Sequence, residues 1–229
     1  MDYILGGVEE AVKLLISFDE EIYRIIFLSL FVSSISTIIS SFFCIPIGIF
    51  LGITNFKGKS FFSRILYTLM STPSVVVGLL VAIVFSRRGP LGFLNLLYTP
   101  SAMIIAQTLL VIPLILGLTY NLSKNRGKHI EKIGITLGAS KIQVIALVIR
   151  ELKVDLFINV VTTFSRAISE VGAVMIVGGN IKGHTRVITT SIAMFNSMGN
   201  YSMAIALGIV LLLISFGINS IIYKYNVED

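Results

Sequence analysis

The chain has 229 residues, of which 55% are hydrophobic and 13% charged, and its mean hydropathy is +0.93. Several uncharged stretches exceed the about 20 residues that a membrane-spanning helix needs, which excludes an ordinary soluble domain. The runs do not alternate between polar and apolar residues, so they exclude a membrane β-barrel and predict an all-α polytopic membrane protein.

The first segment, residues 1–21, is acidic, with six carboxylates against Lys13. This charge is the opposite of a secretory signal. Its apolar residues recur at helical spacing, which predicts an amphipathic helix on the outer membrane surface. A frayed tail without a role is the alternative.

The apolar runs and their punctuation predict five transmembrane helices in one domain, residues 22–223, before a short tail at 224–229. Thr99 before Pro100 is typical of an N-cap followed by proline in the first turn. Asn200 indicates that the last helix begins near Tyr201. The predicted spans are 22–53, 62–85, 101–120, 154–177 and 203–223.

The first span carries hydroxyl residues at a spacing of three to four, which places them on one helical face. Such a stripe can offer hydrogen bonds to a passing anion, or it can let two helices pack closely. The sequence leaves both open for Ser29, Ser33, Ser36 or Thr37, and Ser40.

The turn after the first span ends in Gly58-Lys59-Ser60, like a phosphate-binding loop. Such a loop has four residues between its glycines, whereas five separate Gly52 from Gly58, and it should follow a strand. We interpret this segment as a basic turn and expect that the chain hydrolyses no ATP.

The charged loop 121–153 contains a second amphipathic pattern. Ile133, Leu137 and either Ile142 or Val144 can form the apolar stripe of one short helix, and Gly138 allows a sharp turn. Periodicity alone does not decide whether this helix enters a groove on a partner protein or rests on the membrane surface.

The fourth span contains a charged pair inside an apolar stretch. Arg166 and Glu170 are four residues apart and can neutralise each other on one helical face. We expect the pair to act as a gate contact or a subunit contact rather than as a substrate ligand. The polar stripe on this span is Asn159, Thr162 or Thr163, Arg166, and Ser169 or Glu170.

Two segments beyond the second and fourth spans are glycine-rich and basic. They suit an outer mouth that receives an anion, or a loop that contacts lipid headgroups. The residues concerned are Arg87, Arg88, Asn180, Lys182 and Arg186. His129 and His184 are predicted on opposite membrane sides, so we expect no metal site.

Basic residues decide the predicted orientation. Eleven of the eighteen lie on the side of the 121–153 loop and six on the other, with Arg166 inside the membrane. The positive-inside rule therefore predicts that this loop and the C-terminus are cytoplasmic and that the N-terminus is outside. The net charge of +6 reflects this topology and attraction to anionic lipid, and no nucleic-acid partner is expected.

Four motifs, in order along residues 22–225, resemble the permease subunits of ATP-binding-cassette importers for molybdate and tungstate. Ile133-Gly134 stands where that family usually has paired alanines, and Arg150-Glu151 where many permeases have Leu-Pro. The second of these departures, with Gly178-Gly179-Asn180-Ile181, is most similar to the tungstate branch. The motifs are Thr72 to Gly78, Arg87-Arg88-Gly89, Glu131 to Ser140, and Arg166 to Ala173.

The resemblance implies a type I importer permease in a prokaryotic cytoplasmic membrane, working as a homodimer with the path between two copies. It implies two partners, a separate ATPase that holds the ATP and magnesium and an extracytoplasmic oxyanion-binding protein, and no cofactor in this chain. The residues that the resemblance assigns to the ATPase contact are Glu131, Ile133, Gly134, Leu137, Gly138, Ala139 and Ser140.

For the path or gate, the stripes and the charged pair predict Ser33, Thr37, Ser40, Thr162, Arg166, Ser169 and Glu170. The expected cargo is tungstate, with molybdate or a sulfate-like oxyanion as the alternative. An autonomous ion channel and an intramembrane enzyme are rival classes, although no span holds a recognisable catalytic constellation.

Overall fold

A computed structural model describes residues 6–9, 12, 13 and 19–227, and this part of the chain is all α-helical. The predicted amphipathic helix over residues 1–21 lies largely outside the described residues. From residue 19 onwards the helices are α1 Glu20–Ile53, α2 Lys59–Met70, α3 Ser74–Phe85, α4 Pro100–Leu122, α5 Lys128–Thr136, α6 Lys141–Glu151, α7 Lys153–Ile168, α8 Gly172–Gly178, α9 Ile188–Ser197 and α10 Tyr201–Val227.

The long helices α1 and α4 form the largest packed pair in the fold. Two glycines of α1 allow their close approach: a Cβ added at Gly52 would lie 2.6 Å from the Ser123 Cβ, and one at Gly48 would lie 2.9 Å from the Thr119 Cβ. Small residues let transmembrane helices approach in this way without a hydrophobic driving force. The α1–α4 pair is therefore the rigid centre on which the shorter helices pack.

Two of the sequence predictions about helix starts are confirmed. The Thr99 side chain accepts a hydrogen bond from the Ala102 backbone N–H at 3.3 Å, and Pro100 occupies the first turn of α4. The last helix, α10, begins at Tyr201. Both signals are local, because a cap and a proline act within one turn.

Two of the predicted spans are bent helix pairs. Residues 62–85 fall on α2 and α3, which meet at 88°, and residues 154–177 fall on α7 and α8, which meet at 56°. Three helices are long and apolar enough to cross a membrane alone, namely Glu20–Ile53, Pro100–Thr136 and Tyr201–Ser220. Pro73 explains the first break, since it has no backbone N–H and disfavours a helical conformation at Thr72.

The second helices of the two bent pairs, α3 and α8, pack on each other. A Cβ at Gly78 of α3 would lie 2.7 Å from the Cα of Ala173 in α8, and one at Gly172 would lie 2.8 Å from Val75 Cγ2. Val81 and Phe85 of α3 also share a buried cluster with Ala102 of α4. The break between α2 and α3 and the break between α7 and α8 therefore lie close together, because the helices that follow them are in tight backbone contact.

The segment predicted as a 121–153 loop is helical for most of its length. A π-helical turn, Ser123–Gly127, joins α4 to α5, so that one helical rod runs from Pro100 to Thr136. Arg126 Nη1 reaches the Asp155 carboxylate at 2.7 Å and ties this rod to α7. The hydrophilic connection between the predicted spans therefore consists largely of helices α5 and α6 and is not irregular chain.

Candidate coupling and transport sites

The predicted ATPase contact is built as a helix, a tight turn and a second helix. Helix α5 ends at Thr136, Gly138 adopts a left-handed conformation with φ 78°, and Ser140 caps α6. The Ser140 and Gln143 side chains each bond the other's backbone N–H, which is the capping box that the sequence S-x-x-Q favours. The turn is thus fixed by local chemistry at both ends.

This arrangement corrects the prediction of one apolar stripe on one short helix. Ile142 is 80% exposed and Leu137 79% exposed at the tip, whereas Val144 is buried against Ile49 and Val148. The chain reverses at Gly138, so residues on either side of it cannot continue one helical face. We call residues 137–142 the exposed turn.

The remaining predicted contact residues divide between the core and the surface. Gly134 is buried, because a Cβ there would lie 3.2 Å from Val144 Cγ2. Ile133 is 48% exposed on α5. Glu131 and Ala139 line a cavity of about 190 Å³ between the exposed turn and the end of α1.

The lysine of the Gly-Lys-Ser segment after α1 bonds to backbone carbonyls of the chain itself. Lys59 Nζ donates hydrogen bonds to the carbonyl oxygens of Gly52 at 2.6 Å and Thr54 at 2.7 Å. These carbonyls belong to the end of α1, where the helix has no further N–H to offer them. Lys59 therefore completes the C-terminus of α1 and is not directed at a phosphate.

The charged pair in the fourth span sits at the break between α7 and α8. Arg166 Nη1 donates to Glu170 Oε2 at 2.8 Å, and the other carboxylate oxygen accepts from the Ala173 backbone N–H at 3.2 Å. Thr189 Oγ1 of α9 donates to the Glu170 carbonyl at 2.7 Å. Glu170 therefore neutralises Arg166 and caps α8 at once, which holds the bend.

A residue that the sequence analysis missed completes this junction. Gln107 of α4 is buried, and its Nε2 donates to Ser33 Oγ of α1 at 3.3 Å and to the Ala167 carbonyl of α7. Gln107 stands in the middle of an apolar run of the sequence. A polar side chain at that depth in a membrane span could have identified it as a candidate site residue. Its Oε1 has no partner among the described residues.

The junction encloses a cavity of only about 10 Å³, lined among others by Ser29, Ser33, Gln107, Glu170 and Thr189. That is room for about one water molecule. A tetrahedral oxyanion is far larger and does not fit in this cavity.

The hydroxyl stripe of α1 faces α4. Ser36 Oγ donates to the carbonyls of Val32 at 2.7 Å and Ile104 at 3.2 Å, and Ser40 Oγ donates to those of Ser36 at 2.7 Å and Thr108 at 3.4 Å. Ser33 accepts a hydrogen bond from Gln107 of α4, and Thr37 is also buried. In this conformation the stripe joins two helices, which favours the packing interpretation.

The polar stripe of α7 has a different environment. Thr162, Arg166 and Ser169 are exposed on the outer face of the chain, and the Arg166 side chain is 46% exposed. Even an arginine that is paired with a carboxylate is costly when its exposed side faces hydrocarbon. This face therefore needs protein or water against it in the assembled membrane protein.

The predicted outer mouth contains two kinds of basic residue. Glu21 pairs with Lys182 at 2.7 Å and with Arg186 at 3.3 Å. Arg87 and Arg88 are exposed and form no ion pair within the described part of the chain. Asn180 is turned inward, where its Oδ1 accepts from Thr190 Oγ1 at 2.9 Å. Among these basic residues, Arg87 and Arg88 are thus the two without a carboxylate partner in the described structure.

Comparison with known proteins identifies the family to which this architecture belongs. Residues 44–226 match the family model described as "binding-protein-dependent transport system inner membrane component". The chain is similar to the tungstate uptake system permease protein TupB of Peptoclostridium acidaminophilum, with 71% identity over 100% of both chains. It is 38% identical to TupB of Campylobacter jejuni subsp. jejuni, over 98% of this chain and 94% of that one.

A more distant relative is the sulfate transport system permease protein CysT of Escherichia coli (strain K12), with 28% identity over 89% of this chain and 76% of the relative. All these relatives are membrane permeases of transport systems, and an all-helical chain with long apolar helices and a helix–turn–helix on one face fits them. The chain belongs to the binding-protein-dependent transport system inner membrane components, and so it is a non-catalytic permease subunit of an ABC importer.

Proposed function

We propose that this chain is the membrane conduit of an ATP-driven tungstate importer. The observation that carries the proposal is 71% identity over the full length of a tungstate uptake permease. The resemblance to the tungstate branch rests on Arg150-Glu151, at the end of α6, and on the residues from Gly178 to Ile181, at the end of α8. Sulfate permeases are related at far lower identity, so tungstate ranks above sulfate as cargo.

The exposed turn is the proposed contact with a separate ATPase. Its two apolar side chains, Leu137 and Ile142, project at about four-fifths exposure from a rigid turn whose Gly138 has open space around it. Helix α5 is continuous with α4, so motion imposed on the turn reaches the membrane through one helical rod. Packed elements transmit such motion because they deform little.

A homodimer is proposed from the outer face of α7. Thr162, Arg166 and Ser169 form a polar face that hydrocarbon cannot solvate. A second copy related by a two-fold axis would set two such faces opposite each other and enclose a polar path between them.

We propose the orientation with the exposed turn in the cytoplasm and the N-terminus outside, as the basic residues predict. An extracytoplasmic binding protein would then deliver the anion at the face that carries Arg87 and Arg88. These two exposed cations suit an anionic cargo, while Lys182 and Arg186 share the Glu21 carboxylate.

The decisive experiment is transport by the assembled complex. The chain, the ATPase and the binding protein encoded beside it are reconstituted in proteoliposomes, and the accumulated metal is measured by mass spectrometry. We expect ATP-dependent tungsten uptake that excess molybdate reduces and equal sulfate does not.

The controls separate the rival functions. Uptake without the ATPase would indicate a channel and contradict the proposal. Sulfate uptake equal to tungsten uptake, with a binding protein that prefers sulfate in calorimetry, would transfer the chain to the sulfate permeases.

A further inference from the structure

The first half of the predicted second span, α2, contacts α4 near the C-terminal end of α4. Lys59 Nζ lies 5.6 Å from the ring centre of Tyr120, Ser63 Oγ lies 2.7 Å from the Tyr120 hydroxyl, and Tyr67 bonds Asn121. At the far end of α2, Met70 packs against Gly117.

The lengths show how flat α2 lies. From Lys59 to Met70 the helix advances about 16 Å, whereas its contacts on α4 span residues 117–121, which is about 6 Å of helix. These contacts fall in the last turns of a helix that is itself about as long as a bilayer is thick. Helix α2 therefore lies across the end of a spanning helix, at the level of a membrane surface.

The exposed side chains of α2 form two adjacent stripes. Phe61, Ile65 and Leu69 make an apolar stripe with exposures of 66%, 43% and 47%. The neighbouring stripe is polar and exposed and consists of Ser60, Arg64 and Thr68. A helix that crossed the bilayer would set the polar stripe in hydrocarbon, while a helix at the interface gives each stripe its own solvent.

We propose that α2 is an interfacial helix that binds the surface of a bilayer containing anionic phospholipid. The apolar stripe enters the acyl boundary, the polar stripe faces water, and Lys57 and Arg64 attract the headgroup charges. Both cations are exposed and form no ion pair in the described structure, so their charge is available to lipid. Helix α3 then enters the membrane from the end of α2, and α2 anchors α3 while α3 moves. This inference does not depend on which anion is carried.

Spin labels measure the depth of α2 directly. The single cysteine is first replaced, as Cys44→Ser, and labels are introduced one at a time at Phe61, Ile65 and Leu69. The complete transporter is placed in nanodiscs with phosphatidylglycerol, and collisions with oxygen and with a water-soluble nickel chelate are compared. We expect the three labels at one shallow depth, and labels at Ser60 and Thr68 open to the nickel chelate.

A crossing helix gives a different result that would overturn the proposal. Depth would then change steadily by about 12 Å from residue 61 to residue 69. Labels at Leu212 and Phe216 on the spanning helix α10 provide the matched control and should differ by about 6 Å. Labels in the apolar stripe that are shielded from both reagents would indicate a protein partner and would also contradict the lipid contact.

A second measurement tests the charge. The thermal unfolding midpoint of the Lys57→Glu, Arg64→Glu variant is compared with that of the unaltered chain in nanodiscs with and without phosphatidylglycerol. We expect the anionic lipid to raise the midpoint of the unaltered chain and to have little effect on the variant. An equal rise in both would remove the headgroup contact from the proposal.

Discussion

Arg166 and Glu170 form an ion pair of 2.8 Å whose partners are unequally exposed, with 46% of the arginine side chain and 2% of the glutamate side chain accessible. Removal of the arginine and removal of the glutamate are therefore expected to have unequal effects. Without the arginine a buried carboxylate has no counter-charge, whereas without the glutamate the guanidinium can still reach polar surroundings.

This asymmetry predicts that Arg166→Ala is the more damaging change. We expect it to abolish uptake and to lower the free energy of unfolding by about 3 kcal/mol, because it uncovers a buried charge. Glu170→Gln keeps an acceptor for the Ala173 N–H and should cost less. Thermal unfolding and uptake of both variants decide the order, and unchanged transport in Arg166→Ala would remove the pair from the mechanism.

The α1–α4 contact predicts a steric effect at Gly52. Gly52→Val would drive side-chain atoms into Ser123 and the Tyr120 carbonyl oxygen, which would lie only 2.9 Å from a Cβ added at Gly52. Overpacking of this kind costs about 1–3 kcal/mol. The matched control is Gly217→Val on α10, where a Cβ meets nothing within 4 Å. Equal thermal unfolding midpoints for the two variants would contradict close packing at Gly52.

The exposed turn predicts a loss of coupling without a loss of stability. Leu137→Ser and Ile142→Ser alter side chains that are about four-fifths exposed, so the unfolding midpoint should change little. ATPase retention on purification and tungsten uptake should each fall at least about tenfold, as for central contact residues of an interface.

The buried Val144→Ala is the control for this experiment. It should lower the unfolding midpoint through loss of core packing while the folded fraction keeps its ATPase contact. Normal ATPase retention in both serine variants would show that the partner binds elsewhere.

The Lys59 contact predicts a structural effect rather than a nucleotide effect. Lys59→Met leaves the Gly52 and Thr54 carbonyls without their donor and should destabilise the chain by about 1–3 kcal/mol. Lys57→Met, two residues away and exposed, should have little effect when both variants are compared in nanodiscs without anionic lipid. Binding of a fluorescent ATP analogue to the isolated chain that disappears in Lys59→Met would instead support a phosphate loop.

The outer arginines predict a defect in delivery. Arg87→Glu with Arg88→Glu should lower uptake at limiting binding protein, because both cations are exposed and unpaired within the described structure. Lys182→Gln is the control, since Glu21 keeps Arg186 as a partner. Uptake and binding-protein docking that match the unaltered chain would refute a receiving role for these arginines.

Features that depend on neighbours within one helical turn could be predicted from the order of the residues. Apolar runs of sufficient length require helices in lipid, Thr99 and Pro100 begin α4, and a spacing of four pairs Arg166 with Glu170. The distribution of basic residues and the order of the motifs could also be predicted, because both depend only on positions along the sequence. The motif order led to the permease family.

Contacts between distant segments became known only from the folded chain. The hydroxyls of α1 could face a path or another helix, and α4 supplies the carbonyls that they bond. Gln107 reaches the Ala167 carbonyl across sixty positions, and no local pattern contains that contact. The same holds for the 88° bend: Pro73 explains why the helix breaks, but the direction of α2 follows from its packing across the end of α4.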